Sequence, residues 1–471
     1  MLSLLFSCYS TPSIPLGDSL PPQTESSSHE FIIVGGGASG IAAAKTLIES
    51  GHTPLILEKE SQLGGAGIHA GRYFAVDTPW QSQNNIEDDL DIALSEWTTL
   101  TGCAPHPSLN DFLSSSSALL EWLGEEYFDD VNYAPDAGWR IHPLNPDVGP
   151  PPLRLWAESL YEYAQTNTEV VGLIVDNGRV LGVRTSTTDY FSNNVILATG
   201  GFGRNLKHVQ SVYPTLTEEN WYSEAWPKML GSGLDILDTI GSLDLHLGLH
   251  VHGVEDVVHG QPEVMLIGAI NKTLIVNQNG ERHFNEEDFE RLSFGGQHFG
   301  EDQFYAIFDS ELWANTAFNQ FSYNTESDAV LFSSEEYLAL GDVVSSDHWE
   351  EIAEDIPVPV NQLIETVTNY NTFIDSGTDP LGKDLSGIPA LRVPPYYALP
   401  LRYSTGRSFG VVNNNEDMRV CNENNCIEGL YVTGELQGLM CGSDGGFTGS
   451  ITAALYSGRK AAIHAKTNQY D

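Results

Sequence analysis

The sequence predicts an α/β fold built on a parallel sheet, and three stretches carry that prediction. Phe31-Ile32-Ile33-Val34 reads as a buried strand, Gly35-Gly36-Gly37-Ala38-Ser39-Gly40 as a tight turn, and Ile41 to Leu47 as the start of a helix. After that helix comes a second apolar strand, Pro54-Leu55-Ile56-Leu57, which ends in Glu58. Val195-Ile196-Leu197 is a third, running through Ala198 and Thr199 into Gly200 and Gly201. At 471 residues the chain exceeds the size at which one hydrophobic core stops growing, so two domains are expected.

The first stretch has the spacing of a phosphate-binding turn. Gly35 permits the turn, Gly37 lets the backbone approach a pyrophosphate, and Gly40 lets helix and strand pack closely, with the charge facing a helix N-terminus beside Ala38 and Ser39. Such a glycine spacing is weak by itself, since a ligand-free turn can show it. Glu58 falls 18 residues after Gly40, where a carboxylate takes ribose hydroxyls, and the pair marks a Rossmann-like dinucleotide site. Lys59 follows, and then a second cluster, Gly64-Gly65-Ala66-Gly67, able to lie along phosphates and the flavin end of a cofactor. That second cluster favours FAD over NAD.

Later segments agree. Val170 to Gly182 (VVGLIVDNGRVLG) predicts two strands around an Asp-Asn-Gly turn. Gly429-Leu430-Tyr431-Val432-Thr433-Gly434-Glu435 predicts a strand that stops at an acidic residue. Gly445-Gly446-Phe447-Thr448-Gly449-Ser450 then opens an Ala-rich helix through Ala462, whose N-terminus suits the negative charge that develops at the flavin.

Composition excludes other classes. With 64 acidic against 21 basic residues the net charge is −43, so nucleic acid, which needs clustered Lys and Arg, is not an expected partner. Beyond residue 30 there is no apolar run of 18 residues, so no bilayer span is expected. Residues 1–28 read as a leader or linker: Met1 to Cys8 is apolar, and Tyr9 to Ser28 is rich in Ser, Thr and Pro. Leu5-Phe6-Ser7-Cys8 resembles the cleavage box of bacterial lipoproteins, which favours an extracytoplasmic chain, secreted or anchored at Cys8, over a cytoplasmic one; a disordered tail is the equal alternative for the segment itself. Cys421 and Cys426 bracket Asn-Glu-Asn-Asn between apolar segments, where a bridge would staple a hairpin under oxidising conditions. There is no Cys-x-x-Cys-His haem site, so electrons are expected from, or to, a separate partner.

These residues together resemble the fumarate reductase and succinate dehydrogenase flavoprotein family, which includes 3-ketosteroid dehydrogenases, urocanate reductase and L-aspartate oxidase. The likeness runs from residue 30 to about 464. It rests on Ile33 to Gly40, Leu57-Glu58-Lys59 with Gly64-Gly65, Ala198-Thr199-Gly200-Gly201-Phe202, Val276-Asn277 with Gly280, Phe308-Asp309, and Gly429-Leu430-Tyr431 with Gly434-Glu435. The resemblance implies a Rossmann-like FAD-binding domain, residues 29–247 and 404–471, interrupted by an α+β substrate cap at 248–403. It also implies cofactor contacts at Val171, Ala198, Thr199, Gly200, Gly434, Glu435, Gly449, Ser450 and Ile451. The chemistry implied is hydride transfer between flavin N5 and a carbon beside a carbonyl or carboxylate.

For substrate, the resemblance points to His252, with a loop histidine among His246, His250 and His259 as the alternative. The family's proton-path segment is similar to Arg282-His283-Phe284-Asn285-Glu286, with Glu287 adjacent, although these carboxylates also suit an exposed acidic stretch. Family cations fall instead on Trp313, Gly406 and Gly445, and Arg407 stands beside one of the lost positions, as a substrate contact or a surface arginine. A dicarboxylate lacking paired cations would be costly to bury, so a larger enone or ketone of low charge is expected. Two other readings stay open, a flavin oxidase acting on a C–N or C–O bond and a flavin-binding protein without turnover; peroxide release would mark the oxidase.

Overall fold

The computed structural model describes residues 25–101, 106–134, 137–218, 221–223, 225–240, 248–255, 264–265, 272–286, 303–316, 318–320, 330–332, 335, 338–339, 343–409, 411–422, 425–437 and 450–468. The candidate lipid-anchor position Cys8, together with the rest of residues 1–24, lies outside them.

The parallel sheet is present. Strands Asn425–Val432, Val195–Leu197, Phe31–Val34, Pro54–Leu57 and Ala164–Gln165 lie side by side in that order, all parallel. Their apolar runs follow from burial on both faces, as in Phe31–Val34 and Pro54–Leu57, where every residue is buried. Side chains alternate between faces, so Ile32 and Val34 join one core while Phe31 and Ile33 join the other. An antiparallel wing completes this mixed sheet: Val170–Asp176 pairs with Arg179–Thr185 across the predicted turn. Asn177 (φ 49°) and Gly178 (φ 77°) supply the left-handed pair that a tight hairpin needs.

Two helices cover one face. Ala38–Glu49 follows the first strand, and Ser450–Thr467 returns from the far end of the chain to lie against it. Gly458 permits the close crossing, because a Cβ there would stand 2.1 Å from the Ser39 carbonyl oxygen.

Residues 221–409 contribute a second, six-stranded sheet centred on the 14-residue strand Tyr396–Phe409, which pairs with Trp221–Ser223, Gly248–Glu255, Phe304–Phe308 and Val344–Ser346. A three-stranded sheet joins Val264–Met265, Phe318–Gln320 and Val330–Phe332. Among the described residues no helix is long and apolar enough to cross a membrane.

Cys421 and Cys426 are disulfide-bonded directly across the antiparallel pair Arg419–Asn422 and Asn425–Val432. Mass spectrometry of alkylated, unreduced protein is therefore expected to find peptides 421 and 426 linked; two alkylated thiols would contradict the pairing.

Candidate active site and cofactor cavity

A cavity of about 990 Å³ opens at the carboxyl ends of the parallel strands, where open α/β sheets bind ligands. Its size sits at the top of the roughly 300–1,000 Å³ range of small-molecule and cofactor sites. Each strand delivers its wall residues as it ends. Phe31–Val34 leads to Gly35, Gly37, Ala38 and Ser39; Pro54–Leu57 leads to Glu58 and Lys59; Val195–Leu197 leads to Ala198, Thr199 and Gly200. Asn425–Val432 leads to Gly434 and Glu435, and the returning helix adds Ser450 and Ile451. The short 3-10 helix Gly65–His69 brings Gly65, Ala66 and Gly67.

The glycines divide the work. Gly35 has φ +99°, and a Cβ there would stand 2.5 Å from the Ala198 carbonyl oxygen. Gly40 lies behind the wall, where a Cβ would meet the Gly35 oxygen at 2.0 Å. Gly64 is also behind it, donating its N–H to the Gly36 carbonyl at 2.7 Å. Gly37 differs: its φ is −77° and a Cβ would find nothing within 4 Å, because it would project into the cavity.

Helix Ala38–Glu49 begins there with no acidic residue in its first turn and no side-chain cap. Its first N–H groups have no intrahelical acceptor, so the wall presents donors and a positive dipole end. Thr199 Oγ1 is buried without a hydrogen-bond partner. Glu58 is buried, one oxygen accepting the Gly36 N–H at 2.7 Å and the other the Glu60 N–H at 2.8 Å, each with a further lone pair. A cradle that one methyl group would invade, an anion-seeking helix end, an unpartnered hydroxyl and a buried acceptor fit a dinucleotide's pyrophosphate and ribose.

Two expected contacts need correction or fall outside. Val171 is 44% exposed, and its neighbour Val170 lines the cavity instead, since alternate strand residues face opposite ways. Gly449 lies outside the described residues. Other wall residues escaped the motif reading: Arg154, Trp226, Lys228 and Ser232. Lys59 Nζ donates to Ser232 Oγ at 3.0 Å, Lys228 pairs with Glu60 at 3.1 Å, and the His69 and Trp226 rings lie 4.7 Å apart. No short motif announces them, because segments distant in sequence supply them.

The catalytic candidates scatter. His252 and Arg407 lie on paired strands, Gly248–Glu255 and Tyr396–Phe409, with a register irregularity between Val251 and Gly253. Gly406, beside Arg407, reaches the cavity wall. Glu287 and Gly445 lie outside the described residues.

Glu286 is neither exposed nor a wall residue. It is fully buried, held by Arg282 through two 2.8 Å contacts and by Lys383 at 3.1 Å. Arg282 also pairs with Asp379 at 2.5 Å, and Lys383 donates to the Tyr370 hydroxyl at 3.0 Å and the Thr273 carbonyl at 2.7 Å. Two cations and two carboxylates thus close on each other. Burial pulls the Lys383 ammonium below its usual value despite Glu286, and burial pushes the Tyr370 phenol well above its own.

Trp313 likewise is no pocket residue: it is buried, stacked on Tyr397 at 4.7 Å and edge-on to Phe308 at 5.2 Å. Its apolar character serves the core, so it carries no information about substrate polarity.

The fold and cavity define a dinucleotide-binding oxidoreductase site. Residues 30–449 match the FAD binding domain family, and the chain belongs to that family; its cofactor is FAD. NADH:acrylate oxidoreductase of Vibrio harveyi is 24% identical over 87% of this chain and 47% of its own length, so the chain spans about half of that relative. Fumarate reductase (cytochrome) of Shewanella frigidimarina is 26% identical over 93% of this chain and 78% of its own length. The structure of 3-ketosteroid-Δ4-(5α)-dehydrogenase from Rhodococcus jostii superposes with a TM-score of 0.67 at 21% identity, covering 95% of this chain and 99% of that one.

Proposed function

We propose that the protein is an FAD-dependent oxidoreductase acting on a C=C or CH–CH bond beside a carbonyl, with an enone or ketone of low charge as substrate. One observation carries the reading: a dinucleotide cavity whose wall continues, through Gly406, into the paired strands bearing Arg407 and His252. The names of the relatives, acrylate and fumarate reductases, and of the ketosteroid dehydrogenase neighbour support the bond type.

When bound, FAD supplies hydride exchange with the substrate carbon. The chain's own residues do the rest. The N-terminus of Ala38–Glu49 and the backbone at Gly37 hold the pyrophosphate, and Glu58 accepts from the ribose. His252 is assigned the hydrogen bond that polarises the substrate carbonyl, and Arg407 a second contact to the same oxygen. Segment 248–403 is assigned the cap that excludes water, and a separate donor or acceptor exchanges electrons.

The low-charge preference rests on electrostatics. The chain carries a net charge of −43. A dianion would enter against that field.

FAD-loaded protein, reduced anaerobically and mixed with cyclohexenone, acrylate or fumarate, is expected to be reoxidised fastest by the enone. His252→Ala should slow that step on the order of 10²-fold with flavin content unchanged. Faster reoxidation by fumarate would reject the low-charge substrate. Reoxidation by oxygen alone, with peroxide released, would replace the reading by the oxidase alternative.

A further inference from the structure

Away from the cofactor cavity, a groove of about 410 Å³ runs between helix Leu109–Gly124 and the C-terminal helix Ser450–Thr467. Its volume lies within the roughly 300–1,000 Å³ range of small-molecule sites. The floor is apolar, made by Ala118, Leu119 and Ile463, and Ile463 is 40% exposed.

Charge in the groove departs from the rest of the chain. The molecule carries 64 acidic against 21 basic residues, yet the C-terminal helix holds Arg459, Lys460 and Lys466 and no carboxylate. Of the two groove carboxylates, one is fully engaged and the other stands beside a histidine. Asp111 accepts from Lys460 Nζ at 2.6 Å and from the Tyr456 hydroxyl at 2.7 Å, and Asp417 stands 3.5 Å from His464.

Arg459 has no carboxylate partner among the described residues. Its guanidinium lies 4.6 Å from the centroid of the Trp122 ring, a cation–π contact that uses none of its N–H donors in an ion pair, and the side chain lines the groove. An apolar floor with a planar, positioned guanidinium at its edge suits a ligand with an apolar body and one bidentate anionic head.

The geometry points to this groove as a second binding site, for a small amphipathic monocarboxylate. A dianion is disfavoured, since Lys460 is already taken by Asp111. The site does not depend on the reaction assigned above, because the groove and the cofactor cavity share no lining residue.

The test uses FAD-loaded protein and 4-tert-butylbenzoate, which has no CH–CH bond beside its carboxylate to exchange hydride. Calorimetric titration is expected to give one saturable site in the micromolar to millimolar range. Binding of neutral 4-tert-butylbenzamide to the parent, and of the acid to the Arg459→Gln variant, should each be about tenfold weaker, the worth of one charge-assisted contact. Ala118→Trp should fill the groove and abolish binding with the flavin spectrum unchanged; Ile463→Glu, at an exposed position, gives the same loss by charge should the Trp variant not fold. Absence of saturable binding overturns the assignment. So does binding that survives both groove substitutions, which would place the ligand elsewhere, or equal affinity for acid and amide, which would remove the role of Arg459.

Discussion

A Gly37→Val protein is expected to purify folded but colourless. Gly37 has an ordinary backbone angle, and a Cβ added there meets no protein atom within 4 Å, so the apoprotein should melt close to the parent apoprotein. The added methyl groups occupy the space the pyrophosphate needs. A clash costing about 3 kcal/mol weakens binding on the order of 10²-fold, enough to lose flavin on a column. Gly40→Val supplies the contrast: its side chain would meet the Gly35 oxygen, so it should lower the melting temperature of apoprotein as well as flavin content. The absorption spectrum and apoprotein melting curve check both. A yellow Gly37→Val protein would mean that the phosphates lie elsewhere.

The second large effect is expected at Glu286. Changing it to Gln leaves Arg282 and Lys383 facing Asp379 alone, two buried cations against one carboxylate. Breaking a buried pair in this way costs roughly 3–5 kcal/mol, while replacing the whole set with apolar residues can cost little. Glu286→Gln should therefore destabilise more than Glu286→Gln combined with Lys383→Met, read by thermal melting of holoprotein.

Acid should reveal the same network. Burial alone would raise the Asp379 carboxyl, but hydrogen bonds from Arg282 and the Lys383 backbone outweigh it and hold the group below its usual value. A depressed carboxylate stabilises the fold above its unfolded value, about 3.9, and loses that contribution as pH falls through the folded value. The stability gap between parent and Asp379→Asn should be full near neutrality and shrink below about pH 4. A gap that stays constant into acid would mean the pair contributes nothing.

What the sequence disclosed followed contact range. Gly35 to Gly40 and Glu58 were legible because one strand, one turn and one helix place them, and their spacing is local. Thr199, Gly434 and Ser450 were legible because each ends a strand or opens a helix at the same end of the sheet. Arg154, Trp226 and Ser232 were not, for they reach the cavity through tertiary packing alone. For Glu286, read as a proton-path carboxylate or an exposed one, full burial was not legible for a related reason: one of its two cations, Lys383, lies far along the chain. Trp313 shows the reverse error, since a position aligned with a missing cation proved to stack in the core on Tyr397. Val171 was off by a single residue, which in a strand is a change of face.

Placing Asn425–Val432 between Arg179–Thr185 and Val195–Leu197 has a consequence for synthesis. The middle of the main sheet stays open until the ribosome has carried the chain from Leu197 to beyond Asn425. At about 5–20 residues per second that interval is on the order of 10–50 s. Throughout it the nascent chain displays the bare edge of an apolar strand, Val195–Leu197, with nothing yet to pair it. Until Asn425–Val432 arrives, that edge is open to pairing with another chain.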